Sequence, residues 1–131
     1  MRPYLCFLAA FLLAGCGTND LEVVGKVTYK GKPVESGTIA FEPEDRNGPT
    51  REQPIAKGEF RFAGIHAVSA GPKIVRIQAF GPTGKKTPAS PGSTQMVDFY
   101  GPLIPEEFNT KSKLRTTLDA SNAPKMNFDL P

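Results

Sequence analysis

Apolar and polar side chains alternate along most of the chain after residue 21, in short runs that glycine and proline interrupt. Alternation with a period of two is typical of strands that bury one face, because successive side chains of a strand point to opposite faces of the sheet. The pattern predicts about seven short strands. Their inward-facing residues are Val23, Val27 and Tyr29 in a strand over Glu22–Lys30; Ile39 and Phe41 in Thr38–Glu42; a short strand near Gln53–Lys57; Phe60 and Phe62; Val75, Ile77 and Ala79; Leu114, Thr116 and Leu118; and Met126, Phe128 and Leu130.

Turn residues punctuate these runs, and only one short segment has a helical pattern. Gly31-Lys32-Pro33 and Gly58 predict turns, and Pro105-Glu106-Glu107-Phe108-Asn109 predicts a single helical turn, with proline at its start and acids in its first turn. We therefore predict an all-β fold, a single seven-stranded antiparallel β-sandwich over residues 22–131.

The N-terminus has a different pattern. Arg2 precedes an apolar run over residues 4–13, and the run ends in Leu12-Leu13-Ala14-Gly15-Cys16. A basic start and an apolar segment of about ten residues are typical of a signal peptide, whereas a membrane span needs about 20 apolar residues. The segment that ends in Cys16 resembles a bacterial lipobox. The resemblance implies that residues 1–15 are a cleaved lipoprotein signal peptide and that Cys16 is lipidated on its thiol and amine.

Lipidation at Cys16 has consequences for the rest of the chain. Cleavage removes Cys6, the other of the 2 cysteines. We therefore expect the domain to be held together by its core and not by a disulfide. Residues 16–21 form a short tether of less than roughly 20 Å. Gly17 after the cysteine favours the outer membrane under the usual sorting rule, so we expect a cell-envelope protein. The alternative is an ordinary secretory signal with a coincidental cysteine.

Charge excludes one class of partner. The net charge of +3 falls to +2 when Arg2 is removed, since 15 basic residues then face 13 acidic ones. The two signs are interspersed, and this predicts no nucleic-acid partner.

No group of residues predicts a catalytic, metal or cofactor site. His66 is the only histidine and reads as a loop residue. The acids Glu42, Glu44 and Asp45, and the pair Glu106 and Glu107, lack the spacing of a calcium loop. We expect a protein that is not an enzyme and takes no cofactor.

Two stretches carry a family resemblance. Gly25–Val34 with Gly37–Phe41, and Gly58–Ile65 with Ala70–Ile77, resemble the carboxypeptidase regulatory-like, or transthyretin-like, domain of small bacterial lipoproteins. The resemblance implies a prealbumin-like or Ig-like sandwich without catalysis. The family's hydrolytic branch relies on several histidines and a Tyr-Arg-Gly-Ser tail, and this chain ends in Asp129-Leu130-Pro131.

The segment Gly81–Thr94 is rich in proline, glycine, serine and threonine, and predicts a surface loop without fixed structure. Lys85 and Lys86 within it suit an anionic headgroup or an acidic glycan. Phe99 and Tyr100, which follow, are expected to pack against the sandwich; the alternative is an aromatic surface for a sugar or protein.

Two functions fit this sequence. The first is a lipid-anchored, non-catalytic envelope module, structural or binding a protein or carbohydrate partner. The second is an accessory hydrolase or metal-binding protein.

Overall fold

The computed structural model describes residues 20–131. The predicted signal peptide and Cys16 lie outside these residues. The strands are β1 (Asp20–Leu21), β2 (Val23–Tyr29), β3 (Lys32–Pro33), β4 (Ser36–Pro43), β5 (Arg51–Ala56), β6 (Glu59–Phe62), β7 (Val68–Ser69), β8 (Gly71–Pro88), β9 (Met96–Pro102), β10 (Arg115–Leu118) and β11 (Met126–Leu130). Three 3-10 turns, at Gly64–His66, Glu106–Phe108 and Ala123–Lys125, are the helical segments of this part of the chain. Within it, no helix has the length and apolar character needed to cross a bilayer.

The all-β prediction is confirmed. Seven strands follow one another across the main sheet in the order β10-β8-β4-β5-β6-β2-β11, and they are the seven strands that the alternation predicts. The sequence did not predict the small sheet of β1 with β7, the short β3 beside β2, or β9 beside β8. The helical turn predicted near residue 106 is present as the 3-10 turn Glu106–Phe108.

The sheet curls strongly, into half of a barrel. Three strands separate β4 from β11 in the sheet order, which in a flat sheet places them about 19 Å apart. The rings of Phe41 on β4 and Phe128 on β11 nevertheless have centroids only 6.3 Å apart. The concave face therefore closes on itself around one core. The sequence predicted two stacked layers, and the structure has one continuous hydrogen-bonded sheet.

Most of the residues that the alternation places inward lie in or against the core, together with a few apolar residues from short strands and loops. Phe41 and Phe62 are fully buried and meet edge to face, with ring centroids 5.1 Å apart. Ile39, Val75 and Ile77 are also fully buried. A geometry of this kind adds about 0.5–1.5 kcal/mol to the burial of an aromatic pair.

The last strand corrects the prediction of a wholly antiparallel sheet. β11 pairs with β2 in parallel, with Met126 opposite Gly25. The reason is the connection: β10 and β11 are the two edges of the sheet, so residues 119–125 cross between edges instead of forming a hairpin. Gly25 allows the close approach, because a Cβ there would lie 2.2 Å from the Met126 carbonyl oxygen.

The predicted loop at Gly81–Thr94 is the second correction. β8 continues through it to Pro88, and β9 returns antiparallel to it. Only the turn between them, residues 89–95, lacks strand structure. The composition of this segment predicted disorder, but pairing with β9 supplies the hydrogen bonds that hold it extended.

Candidate functional site

A two-stranded arm extends from one end of the curled sheet. We define the arm as residues 80–102, which comprise the distal half of β8, the turn and β9. Up to Ala79, β8 lies beside β4, where Gly37 is opposite Ala79. Beyond Ala79, β8 pairs with no further β4 residue. It continues for about 30 Å with β9 as its strand neighbour.

The pairing within the arm has one irregularity. Gly81 lies opposite Gly101 and Thr87 lies opposite Val97, with a bulge between Pro82 and Lys86. Thr83 in the bulge donates a hydrogen bond from its Oγ1 to the Phe99 carbonyl oxygen, at 3.1 Å. The bulge therefore remains tied to β9.

The structure places all four candidate interaction residues on this arm: Lys85, Lys86, Phe99 and Tyr100. Lys86 forms an ion pair with Asp98 across the two strands, with 2.6 Å between Nζ and Oδ1. Lys85 is exposed. Phe99 and Tyr100 are 46% and 68% exposed, so the prediction that they pack against the sandwich is wrong. The reason is that β9 lies beyond the end of the core, where no second face covers it.

Exposed apolar side chains concentrate on the arm. Within residues 20–131, six of the eight exposed large hydrophobic side chains lie in the arm or directly after it. They are Phe80, Met96, Val97, Phe99, Tyr100 and Leu103. Because neighbours in a strand point to opposite faces, Tyr100 lies on one face of the arm and Phe99 on the other. The arm is therefore apolar on both faces.

A groove of about 770 Å³ lies where the arm joins the sheet. Apolar side chains, among them Tyr29, Phe80 and Leu103, provide much of its lining, and Lys30 and Lys32 lie along one wall. The Lys30 ammonium is 5.3 Å from the centroid of the Tyr29 ring. Sequence analysis did not identify Phe80 and Leu103 as surface residues of a site. Both are apolar residues that flank a segment predicted to be a loop, and this position could have pointed to them.

The arm and its groove lie at the opposite end of the domain from β1. β1, which begins the described chain, pairs with β7 close to the start of β8. β2 leads away from this end and reaches the groove at Tyr29, a distance of about 20 Å. β8 runs in the same sense, from Gly71 towards the arm. Two independent strands, β2 and β8, thus separate β1 from the arm.

The β1 end of the domain holds a buried amine. Lys73 is only 3% exposed, and its Nζ donates a hydrogen bond to Ser69 Oγ at 2.8 Å. Burial lowers the pKa of Lys73, and the carboxylates of Asp45 and Asp20 partly offset that effect. The bond satisfies an ammonium group that would otherwise be costly to bury.

Four of the five acidic residues singled out by the sequence analysis have partners within the described part of the chain. Glu42 forms an ion pair with Arg76, with 2.9 Å between Oε2 and Nε. Arg76 also donates to the Asn109 carbonyl oxygen at 2.6 Å, which ties the turn at residues 106–108 to the sheet. Glu106 pairs with Lys111 at 3.1 Å. Over residues 20–131, no three His, Cys, Asp or Glu side chains are grouped as metal ligands would be.

His66, the remaining candidate, lies exposed in the 3-10 turn Gly64–His66. This agrees with the prediction of a loop residue. In comparisons with protein families, curated proteins and solved structures, no significant match to the chain was found.

Proposed function

We propose that this protein is a lipid-anchored, non-catalytic module of the bacterial cell envelope that holds a protein or carbohydrate partner through its arm. One observation carries the proposal: exposed apolar side chains are concentrated on the arm, at the opposite end of the domain from β1. Soluble domains rarely expose contiguous apolar surface without a partner for it.

The anchor and fold of the proposal come from the sequence. Residues 1–15 are cleaved, Cys16 is lipidated and residues 16–21 form the tether, with the outer membrane as the favoured location. Residues 22–131 form a carboxypeptidase regulatory-like domain of the prealbumin-like kind. An all-β fold around a single core supports this part of the proposal.

The short tether orients the domain. A tether of less than roughly 20 Å keeps the β1–β7 end beside the bilayer. Ile65, which is 83% exposed in the turn just before β7, is then available to the membrane surface. The arm extends away from that surface and meets partners inside the envelope.

Either partner class suits the surface chemistry of the arm and groove. Tyr100 and Phe99 offer aromatic rings for stacking, and Lys30, Lys32 and Lys85 offer cations for acidic groups. The interspersed charges of the whole chain favour neither DNA nor RNA as a partner.

Photocrosslinking in cells tests this function. A photoreactive phenylalanine analogue replaces Tyr100 on the arm or, as a control, Thr117, which is exposed on β10. We expect discrete crosslinked species from position 100 and none from position 117. Equal crosslinking from both positions, or none from position 100, would contradict a binding role for the arm.

The anchor has its own test. Cys16→Ala should leave the domain folded but abolish incorporation of radiolabelled palmitate and partition into the detergent phase. Lipid labelling that persists in Cys16→Ala would contradict an anchor at this residue.

One observation favours the alternative of an accessory hydrolase. A serine hydroxyl hydrogen-bonded to a lysine of lowered pKa is an arrangement that activates a nucleophile in acyl transfer, and Ser69 and Lys73 have this relation. The alternative predicts labelling of Ser69 by a fluorophosphonate probe, lost in Ser69→Ala. Absence of labelling supports the non-catalytic module.

A further inference from the structure

The two strands of the arm differ in what their outer edges offer. The Leu103 N–H donates to the Ala79 carbonyl at 2.9 Å, and the Ala89 N–H donates to the Gln95 carbonyl at 2.9 Å. In an antiparallel pair, hydrogen-bonded positions alternate with positions whose N–H and C=O point away from the partner strand. The register therefore turns the backbone groups of alternate residues outward. On β9 they are Met96, Asp98, Tyr100 and Pro102; on β8 they are Phe80, Pro82, Lys86 and Pro88.

Proline blocks one edge of the arm. Pro82 and Pro88 occupy outward positions of β8 and have no N–H to donate. Natural sheets use edge prolines in this way to prevent further pairing. On β9 the outward positions Met96, Asp98 and Tyr100 all keep their N–H groups. β9 is paired with β8 alone among residues 20–131.

The open edge of β9 suits a peptide better than a lipid or a sugar. Its outward N–H and C=O groups recur with the spacing of a strand, and only another extended backbone matches them in series. Exposed apolar side chains flank the edge on both faces, with Met96 and Tyr100 on one and Val97 and Phe99 on the other. The ion-paired Asp98 lies between Met96 and Tyr100. An incoming strand would bury apolar side chains on both sides. The marginal stability of a two-stranded hairpin makes a third strand favourable.

Charge disfavours a second copy of this chain as that strand. If two β9 edges paired antiparallel and used all three outward positions, Asp98 would lie directly opposite the Asp98 of the second copy. Like charges directly opposite each other destabilise a strand pair. A register that avoids this contact leaves some of the outward N–H and C=O groups of β9 without hydrogen bonds.

We propose that the outer edge of β9, Met96–Tyr100, accepts an extended segment of a partner protein as an additional strand, with apolar side chains on both faces of that segment. This inference rests on the proposed function and narrows its partner to a peptide. The backbone of β9 supplies affinity, and the side chains of Met96, Val97, Phe99 and Tyr100 select the apolar residues.

A matched pair of substitutions isolates the backbone contribution. Asp98→Pro and Asp98→Ala both remove the carboxylate, but only Asp98→Pro removes the central outward N–H. Neither removes a backbone hydrogen bond between β9 and β8, because Asp98 lies at an outward position, and both remove the Lys86–Asp98 ion pair equally. Met96→Pro and Met96→Ala are a second pair at the first residue of β9, where proline is well tolerated.

The probe is a phage-displayed library of random dodecapeptides selected on the folded domain. Selected peptides should bind wild type and Asp98→Ala about equally and bind Asp98→Pro about tenfold more weakly, which corresponds to about 1.4 kcal/mol. In the complex, amide hydrogen exchange should slow at Met96, Asp98 and Tyr100. If Asp98→Pro unfolds the arm, the Met96 pair tests the same prediction. Peptides should then bind Met96→Pro more weakly than Met96→Ala.

Four outcomes would overturn the inference. They are a library without specific binders, peptides that bind the proline and alanine variants equally, protection of the three amides by phosphatidylglycerol vesicles, and protection of them by dimerisation at high protein concentration. Crosslinks from Tyr100 in cells together with any of these results would retain the proposed function and refute the added strand. Loss of those crosslinks while selected peptides still protect the β9 amides would instead refute the proposed function.

Discussion

Both halves of β8 are extended strand, with a bulge in the second half, but their surroundings differ. In Gly71–Ala79, every second side chain from Lys73 onward is buried, and β4 and β10 flank the strand. In Phe80–Pro88, most side chains are exposed, and β9 is the strand neighbour. The comparison shows that the burial of a strand depends on which elements pack beside and over it, not on the strand itself. The first half belongs to the core, and the second half presents surface to a partner.

The largest expected difference is in stability. Phe62→Ala in the core should lower the free energy of unfolding by about 3–5 kcal/mol, because it opens a cavity among packed rings. Phe99→Ala on the arm should change it by less than about 0.5 kcal/mol. Urea unfolding monitored by circular dichroism measures both. A large effect of Phe99→Ala would mean that the arm packs on the domain in solution.

Amide hydrogen exchange compares the core half of β8 directly with the arm. The Val75 amide should exchange only through global unfolding, because its hydrogen bond to Leu114 lies in the sheet. The Ala89 amide, bonded to Gln95 in the arm, should exchange through local opening that costs at least about 3 kcal/mol less. Equal protection at the two positions would show that the arm and the core unfold together.

Two glycines sharpen the same comparison sterically. Gly25→Ala should destabilise the domain by about 1–3 kcal/mol, because the new Cβ would meet the Met126 backbone. Gly81→Ala at the start of the arm should cost much less, since its Cβ would meet only the Leu103 Cδ1, at 2.9 Å, at the end of a flexible side chain. Thermal unfolding of both variants is the measurement. Equal losses of stability would contradict a close backbone approach between β2 and β11.

The smallest effect concerns pH. Burial lowers the pKa of Lys73 below its ordinary 10.5, so between the two values the unfolded chain binds more protons than the folded one. Stability from this group therefore rises with pH across that interval. Lys73→Met should lose this rise relative to wild type, whereas Lys85→Met on the arm should retain it. Urea unfolding at a series of pH values up to 10.5 measures the difference, and identical slopes for wild type and Lys73→Met would refute it.

The strands of the core were predictable because each pairs apolar alternation with a turn signal. Phe60 and Phe62 follow Gly58, whose φ of 77° is the conformation that the hairpin requires. The arm was not predictable by the same rule. Between Gly81 and Thr94, apolar residues are sparse, and the strand is held by its backbone bonds to β9, which leave no periodic signal in its composition.

By itself, the sequence determined the all-β class, the seven core strands and the inward rows of the core, because burial of alternate side chains requires a period of two along the chain. Only the tertiary structure decided which apolar side chains remain exposed to solvent. The parallel pairing of β11, the curl that joins Phe41 to Phe128, and the arm that exposes Tyr100 all depend on contacts between distant segments. Such contacts follow from strand order and register, which local alternation does not encode.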